Sequence, residues 1–419
     1  MDSHHHHRPG RGGHVRTALA VFGPGLVVML ADTDVGSVIT AAQSGLQWGY
    51  RLLLLQFVLM PILYIVQELT VRLGVHTGRG HGELILERFG KFWAIVSVTG
   101  LVIAVGGALL TEFSGIAGVG ELYGVPRSFS VAWAAACLLF IVLTGSYRRV
   151  ERLAIILGLF EFAFFGVVFA AHPNMKDILV QSIQIPLANK DYLYLVAANI
   201  GAVIMPWMIF YQQSAIADKR LTVAHLSAAR WDTALGSVIT QLVMAAVLIA
   251  VAATIGHNQS NANASLQTVG DISGALTPFL GTVMGRAVFG AGIIGAGMVA
   301  AIVASLALAW GVGEVTGYRH SLENKPQEAV WFYGVYAICV VAGATLVALW
   351  PNLIALNVGV QVMNALLLPL VLGFLIALAV FALPPETRLQ GWYLKLVVVV
   401  SVVTTALGVF GGLQGLGWF

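Results

Sequence analysis

Long apolar runs recur along the whole chain, and short polar stretches separate them. A bilayer core takes roughly 20 apolar residues per helix. By that ruler eleven membrane spans are predicted, near 17–48, 52–73, 93–122, 129–146, 150–171, 192–216, 226–256, 285–315, 328–349, 353–382 and 391–417. The connections are short except two. One is 172–191, with Pro173 and Pro186; the other is 257–284, rich in Asn and Ser and ending in a Pro-led amphipathic piece, Pro278-Phe279-Leu280.

Two of the spans carry polar or helix-breaking interruptions. In the first, Ala31-Asp32-Thr33-Asp34-Val35-Gly36-Ser37 brings two carboxylates to membrane depth, which is costly unless they meet a cation, a proton or water. Gly36 and Ser37 follow directly, and both are poor interior helix formers. In the sixth, Gly201-Ala202-Val203-Ile204-Met205-Pro206-Trp207 contains a proline that removes a backbone donor. Both spans are predicted to break, freeing carbonyls and aiming acids into a cavity. Five spans separate their starts, so spans 1–5 and 6–10 have opposite topology. That is the layout of an inverted-repeat transporter with a site at the bilayer midplane, and the eleventh helix is an appendage.

Composition agrees with this reading. The chain is 58% hydrophobic and 10% charged, against about 25% charged in soluble domains. Its apolar surface therefore faces lipid, and the expected architecture is an all-α polytopic membrane protein. The net charge of +3 is informative through its placement. With the N-terminus inside, 17 of the 22 Lys and Arg residues fall on the cytoplasmic side, leaving Arg51, Arg127, Lys176, Lys190 and Arg286 outside. That split predicts a plasma (inner) membrane protein with a cytoplasmic N-terminus and an external C-terminus. Residues 1–16, with His4 to His7 and three arginines, are expected to form a disordered cytoplasmic tail, and 17–419 one transporter domain. No cleavable signal peptide is expected. Cys137 and Cys339 lie in apolar runs and are read as small core or lipid-facing residues.

Several short stretches together resemble the Nramp metal transporters. Phe22-Gly23-Pro24-Gly25, Asp34-Val35-Gly36-Ser37, Ala42-Gln43-Ser44-Gly45 and Trp48-Gly49-Tyr50 are similar to that family's first span, where the motif is Asp-Pro-Gly-Asn. Gln67, Arg72-Leu73-Gly74-Val75, Thr77-Gly78 and Glu83-Leu84 resemble its second span and following loop. Ala202 to Pro206 fits its Ala-x-x-Met-Pro-His, and Gln361-Val362, Asn364-Ala365 and Leu368-Pro369 resemble its tenth span. The resemblance implies a LeuT-like fold and a divalent metal as transported substrate, with no resident cofactor. By position it implies Asp34 as the metal-binding aspartate, Ser37 in place of the asparagine, the Ala202 carbonyl and Met205 sulfur as sixth-span ligands, and Gln361 as a ligand of the outward-closed site.

The departures are informative too. Val35 stands where the family has proline, Trp207 where it has histidine, and Leu109 where the proton-pathway aspartate falls, while Glu112 matches the family's glutamate. These changes remove titratable groups linked to proton coupling, and Met-Pro-Trp is similar to the Nramp-related magnesium branch. Asp32 is an extra acid, either a ligand of a hydrated ion or a supporting group. Ser37 and Asp32 suit magnesium, which keeps several waters; Met205 argues for manganese or softer ions. The expectation is an importer of magnesium, manganese or both, without tight proton coupling. A proton-coupled manganese or iron transporter of the Nramp type is the alternative. An organic-solute transporter of the same fold ranks behind, because Asp32 and Asp34 would repel a carboxylate. An enzyme is not expected: no HExxH and no paired intramembrane histidines occur. A nucleic-acid partner is not expected, and an oligomer is not implied. His76 and His81 are read as solvated loop residues, Glu161 as snorkelling or bonding to a backbone gap, and Trp207 as gate packing.

Overall fold

The computed structural model describes residues 23–255, 266, 269–276, 281–350 and 356–418, and among these the regular structure is entirely helical. The expected tail at 1–16 and the Pro278-Phe279-Leu280 piece lie outside the described residues. Span one is two helices, α1 (Pro24–Asp32) and α2 (Val35–Trp48), bent by 46° about Thr33 and Asp34. Then come α3 (Leu53–Thr77), α4 (His81–Phe89), α5 (Lys91–Leu122) and α6 (Arg127–Leu143). Span five is α7 (Tyr147–Gly158), a 3₁₀ turn at Leu159–Phe162, and α8 (Ala163–Ala171); α9 (Met175–Ser182) follows. Span six is α10 (Lys190–Val203) and α11 (Pro206–Asp218). The rest are α12 (Leu226–Ile255), α13 (Val269–Leu276), α14 (Thr282–Thr316), α15 (Val330–Leu349), α16 (Asn357–Phe381) and α17 (Gly391–Gly415).

Nine of these segments are long and apolar enough to cross a membrane, and the bent pair α1–α2 makes ten. The shorter apolar α6 is the eleventh, its 17 residues lying at the lower limit for a crossing. The eleven predicted spans are thus all present as helices. Large apolar side chains such as Phe140, Phe169 and Trp392 point outward, as a lipid-facing surface requires.

The hydrogen bonds sort the loops into two ends. At one end Asp232 accepts the Gly23 and Gly25 amides, Lys219 pairs with Glu151, Arg230 pairs with Glu68, and Asp218 accepts the Leu322 amide. At the other, Gln181 accepts the Tyr50 amide, Tyr192 donates to the Arg51 carbonyl, and Arg127 donates to the Trp350 carbonyl. These are the groupings that eleven alternating crossings demand.

Three short helices were not anticipated: α4 after span two, α9 within 172–191, and α13 within 257–284. Each has nine residues or fewer, too few for the membrane ruler to register. Two side chains also differ from expectation. His81 is buried in α4, its Nδ1 2.9 Å from the Gln213 amide oxygen. Glu161 does not snorkel: it is buried in the 3₁₀ turn of span five, beside Thr33 at the first break.

Candidate ion site at the helix breaks

The first break is built differently from the sequence expectation. Gly36 and Ser37 do not end a helix; they are the first turn of α2, and the non-helical residues are Thr33 and Asp34. Asp34 is the N-cap of α2: its Oδ1 accepts the Ser37 amide at 2.6 Å, satisfying one of the donors a helix start leaves free. Its second oxygen, Oδ2, is buried without a hydrogen-bond partner. Glu112 on α5 completes the cap, with Oε2 accepting the Val35 amide at 3.1 Å and Oε1 accepting the Thr111 hydroxyl at 2.8 Å. The opened turn of span one is therefore held by two carboxylates from two helices.

The second break falls at Ile204 and Met205, both with extended backbone. Pro206 begins α11 at its first position, where the missing N–H costs nothing. This interruption leaves the Ala202 carbonyl pointing to span one, where it accepts the Ser37 hydroxyl at 2.9 Å. The two broken spans meet through that bond. Met205 is fully buried at the same break, and Trp207, also buried, follows it. The Trp207 indole nitrogen has no partner.

Gln361 on α16 closes the site from a third side. Its amide nitrogen lies against Gly36, where any Cβ would overlap it, and its oxygen accepts the Asn364 amide at 3.0 Å. The α16 backbone at Gln361 also runs against Gly201, leaving no room for a side chain there. Gly36 and Gly201 thus let α16 approach both breaks, a packing role that the sequence did not reveal.

Asp34, Ser37, Ala202 and Gln361 therefore converge, with Met205 on the same short break as Ala202. Asp32 turns another way, toward α12, where the Thr240 hydroxyl donates to Oδ2 at 3.3 Å. Thr240 in turn lies 2.6 Å from the Thr33 hydroxyl. Leu109 is buried in α5 and offers no polar group. All the predicted site residues are at most 2% exposed. Among the described residues no cluster of three or more His, Cys, Asp or Glu is arranged to hold a metal. The donors that do converge are instead a mixture: one carboxylate, a hydroxyl, a main-chain carbonyl and an amide, with a thioether alongside. Thr240 and Asp232 escaped the sequence reading, and Thr33 and Asn364 entered it only as members of quoted stretches, because a hydroxyl or amide partner on another span leaves no spacing signal.

A membrane protein with two discontinuous spans crossing at a buried, mixed-donor site belongs to the inverted-repeat transporter class of the LeuT fold. Within that class the chain belongs to the Nramp family: the family described as natural resistance-associated macrophage protein-like matches residues 25–414. It is 26% identical over 314 residues to the divalent metal cation transporter MntH of Brucella suis, an overlap covering 71% of this chain and 67% of that protein. Its fold is similar to the Eremococcus coleocola manganese transporter, with a TM-score of 0.77 at 18% identity, covering 96% of this chain and 87% of the other. A Na+-coupled sialic acid symporter matches at a TM-score of 0.63 and 14% identity, covering 96% and 90%. At such identities these two likenesses define the fold alone.

Proposed function

We propose that this chain imports divalent metal cations of the manganese class, the ion being substrate and not cofactor. The observation that carries the reading is the Asp34 carboxylate, whose Oδ2 is buried without a partner beside neutral oxygen donors. A charge at this depth costs about 2.5–3.5 kcal/mol on insertion scales, and a dication would offset that cost. In this reading Asp34 supplies the charge, while the Ser37 hydroxyl and Ala202 carbonyl exchange their mutual hydrogen bond for the ion. Gln361 covers the site from α16. Asp32 gives Oδ2 to Thr240 and keeps Oδ1 buried without a partner, and in this reading it strengthens the field at the break.

Met205 supports manganese over magnesium, because a thioether helps only the softer ion. The relatives described as divalent metal cation and manganese transporters lean the same way. The magnesium-type reading rests on Trp207 and the short Ser37, and neither relative carries it by description. The Lys and Arg distribution supports a plasma-membrane protein with the N-terminus inside and the C-terminus outside.

The test is Asp34→Asn, which keeps an oxygen to cap Ser37 but removes the charge. Manganese uptake into proteoliposomes is expected to fall at least tenfold at unchanged melting temperature. Uptake above a tenth of wild type in the folded variant overturns the assignment.

One observation favours a second reading, proton-coupled transport. Glu112 reaches the break through the Val35 amide, so a protonatable group lies directly behind Asp34 even though positions 109 and 207 carry Leu and Trp. A pH-sensitive dye trapped in the vesicles distinguishes the two. Metal-dependent acidification that is lost in Glu112→Gln supports coupling; metal influx without acidification returns the reading to uncoupled transport.

A further inference from the structure

Away from the breaks, the start of α12 carries a groove that the transport reading leaves unused. It encloses about 460 Å³ and is lined by Tyr64 on α3, Val223 in the turn before α12, and Leu226, Ser227, Arg230 and Trp231 on α12. Three features give it a chemistry. First, positive charge is in excess. The buried Glu68 carboxylate accepts both Arg72 at 3.0 Å and Arg230 at 2.9 Å on the same oxygen, and Tyr393 on the other. Two guanidinium groups therefore share one anion. Second, the groove sits at the start of a 30-residue helix, whose dipole favours an anion. Third, the groove does not end in water alone. From Trp231 the exposed residues of α12 continue as Leu235, Val238 and Leu242, spaced four, three and four, a single apolar stripe facing outward.

A soluble anion would use the first two features and have no use for the third. A phospholipid uses all of them: its phosphate meets Arg230 and the helix start, its glycerol region meets Tyr64 and Trp231, and an acyl chain lies along the stripe. Tyr and Trp at headgroup level are what membrane interfaces select, and basic pockets between helices at an interface suit anionic headgroups. We propose that this groove seats an anionic phospholipid from the adjacent leaflet, and that its phosphate neutralises the charge which Glu68 leaves uncompensated on Arg72 and Arg230. The lipid thereby clamps α12 to α3 and, through Tyr393, to α17.

The experiment uses the full chain, purified and delipidated in detergent. Thermal unfolding is followed while phosphatidylglycerol, phosphatidylcholine or inorganic phosphate is added, and native mass spectrometry counts retained lipids. Wild type is expected to be stabilised by phosphatidylglycerol at tenfold lower concentration than by phosphatidylcholine, with inorganic phosphate inert. Arg230→Gln is expected to abolish the tenfold preference, while Arg319→Gln, an exposed cation outside the groove, keeps it. Should Arg230→Gln unfold through loss of its pair with Glu68, Trp231→Ala decides, since Trp231 is 69% exposed; it is expected to weaken phosphatidylglycerol retention at least threefold. Equal responses to the two lipids in wild type, or stabilisation by inorganic phosphate alone, overturn the proposal.

Discussion

At the scale of single residues, the two oxygens of Asp34 differ: one holds the α2 N-terminus, and the other is buried without a hydrogen-bond partner. A helix cap of this kind contributes about 1 kcal/mol, so it fixes the carboxylate before any ion arrives. Met205 offers the sharpest test of which ion that is. Met205→Ala is expected to weaken manganese and cadmium binding at least fivefold while leaving magnesium within twofold, measured by competition calorimetry, because only the softer ions gain from sulfur. An equal loss for all three would make Met205 a packing residue. That the site residues meet was legible, while their role as ligands belongs to the proposal above. An acid at membrane depth is too costly to be incidental, which singled out Asp34, and the family motifs supplied Ser37, Ala202, Met205 and Gln361. Side-chain direction was not legible. Asp32 and Asp34 are two residues apart, yet the non-helical step between them sends one toward Thr240 and the other to the cap of α2.

At the scale of elements, the second break lies inside the stretch ahead of Pro206 that the sequence marks, and the first falls at Thr33 and Asp34, just before the Gly36 and Ser37 blamed for it. Propensity flagged Gly36 as a helix breaker, whereas α16 needs that glycine for close approach. The connecting helices were missed because eight or nine residues do not show against runs three times longer. Of these, α4 is anchored by His81, whose burial lowers its pKa from the ordinary 6.5 to about 4. At neutral pH it is uncharged in the folded and unfolded chain alike. As pH falls below 6.5 the unfolded chain takes up a proton that the buried ring refuses, so stability is lost progressively down to about pH 4. His81→Gln keeps an amide for Gln213 and removes the titration. Its melting temperature is expected to drop less than that of wild type between pH 7 and 4.5, and an identical pH profile would refute the role. A second element-level device is the hold of Asp232 on the start of α1, through the Gly23 and Gly25 amides at 3.1 and 2.8 Å. Hydrogen bonds to a charged group contribute about 1.5–3 kcal/mol each. Asp232→Asn is expected to free this end of α1, seen as at least threefold faster alkylation of a cysteine introduced at the partly buried Leu26 in both backgrounds. Unchanged alkylation would mean that the Glu151–Lys219 pair alone holds the end.

At the scale of the whole molecule, the two ends seen in the hydrogen bonds fit spans that alternate in direction through the described residues. The count of spans was legible because lipid imposes one length on every crossing. Which end faces the cytoplasm follows only from the Lys and Arg bias. A cysteine at Trp418 is expected to react with an impermeant maleimide from outside intact cells; protection until lysis would reverse the orientation. An inside-negative potential should also drive uptake, since 100 mV is worth about 4.6 kcal/mol to a dication, twice the roughly 2.3 kcal/mol per unit charge.

The sealed position of Asp34, 0% exposed, has an arithmetical consequence. On the function proposed above, a queue of ions cannot stream past a point closed on every side; each is carried singly, and the carrier resets before the next. Throughput is then counted in protein motions, not in diffusion. Rearrangements of this size take microseconds to milliseconds, which caps delivery at about 10³–10⁶ ions per second. However high the outside concentration is raised, the rate levels off at the pace of the helices.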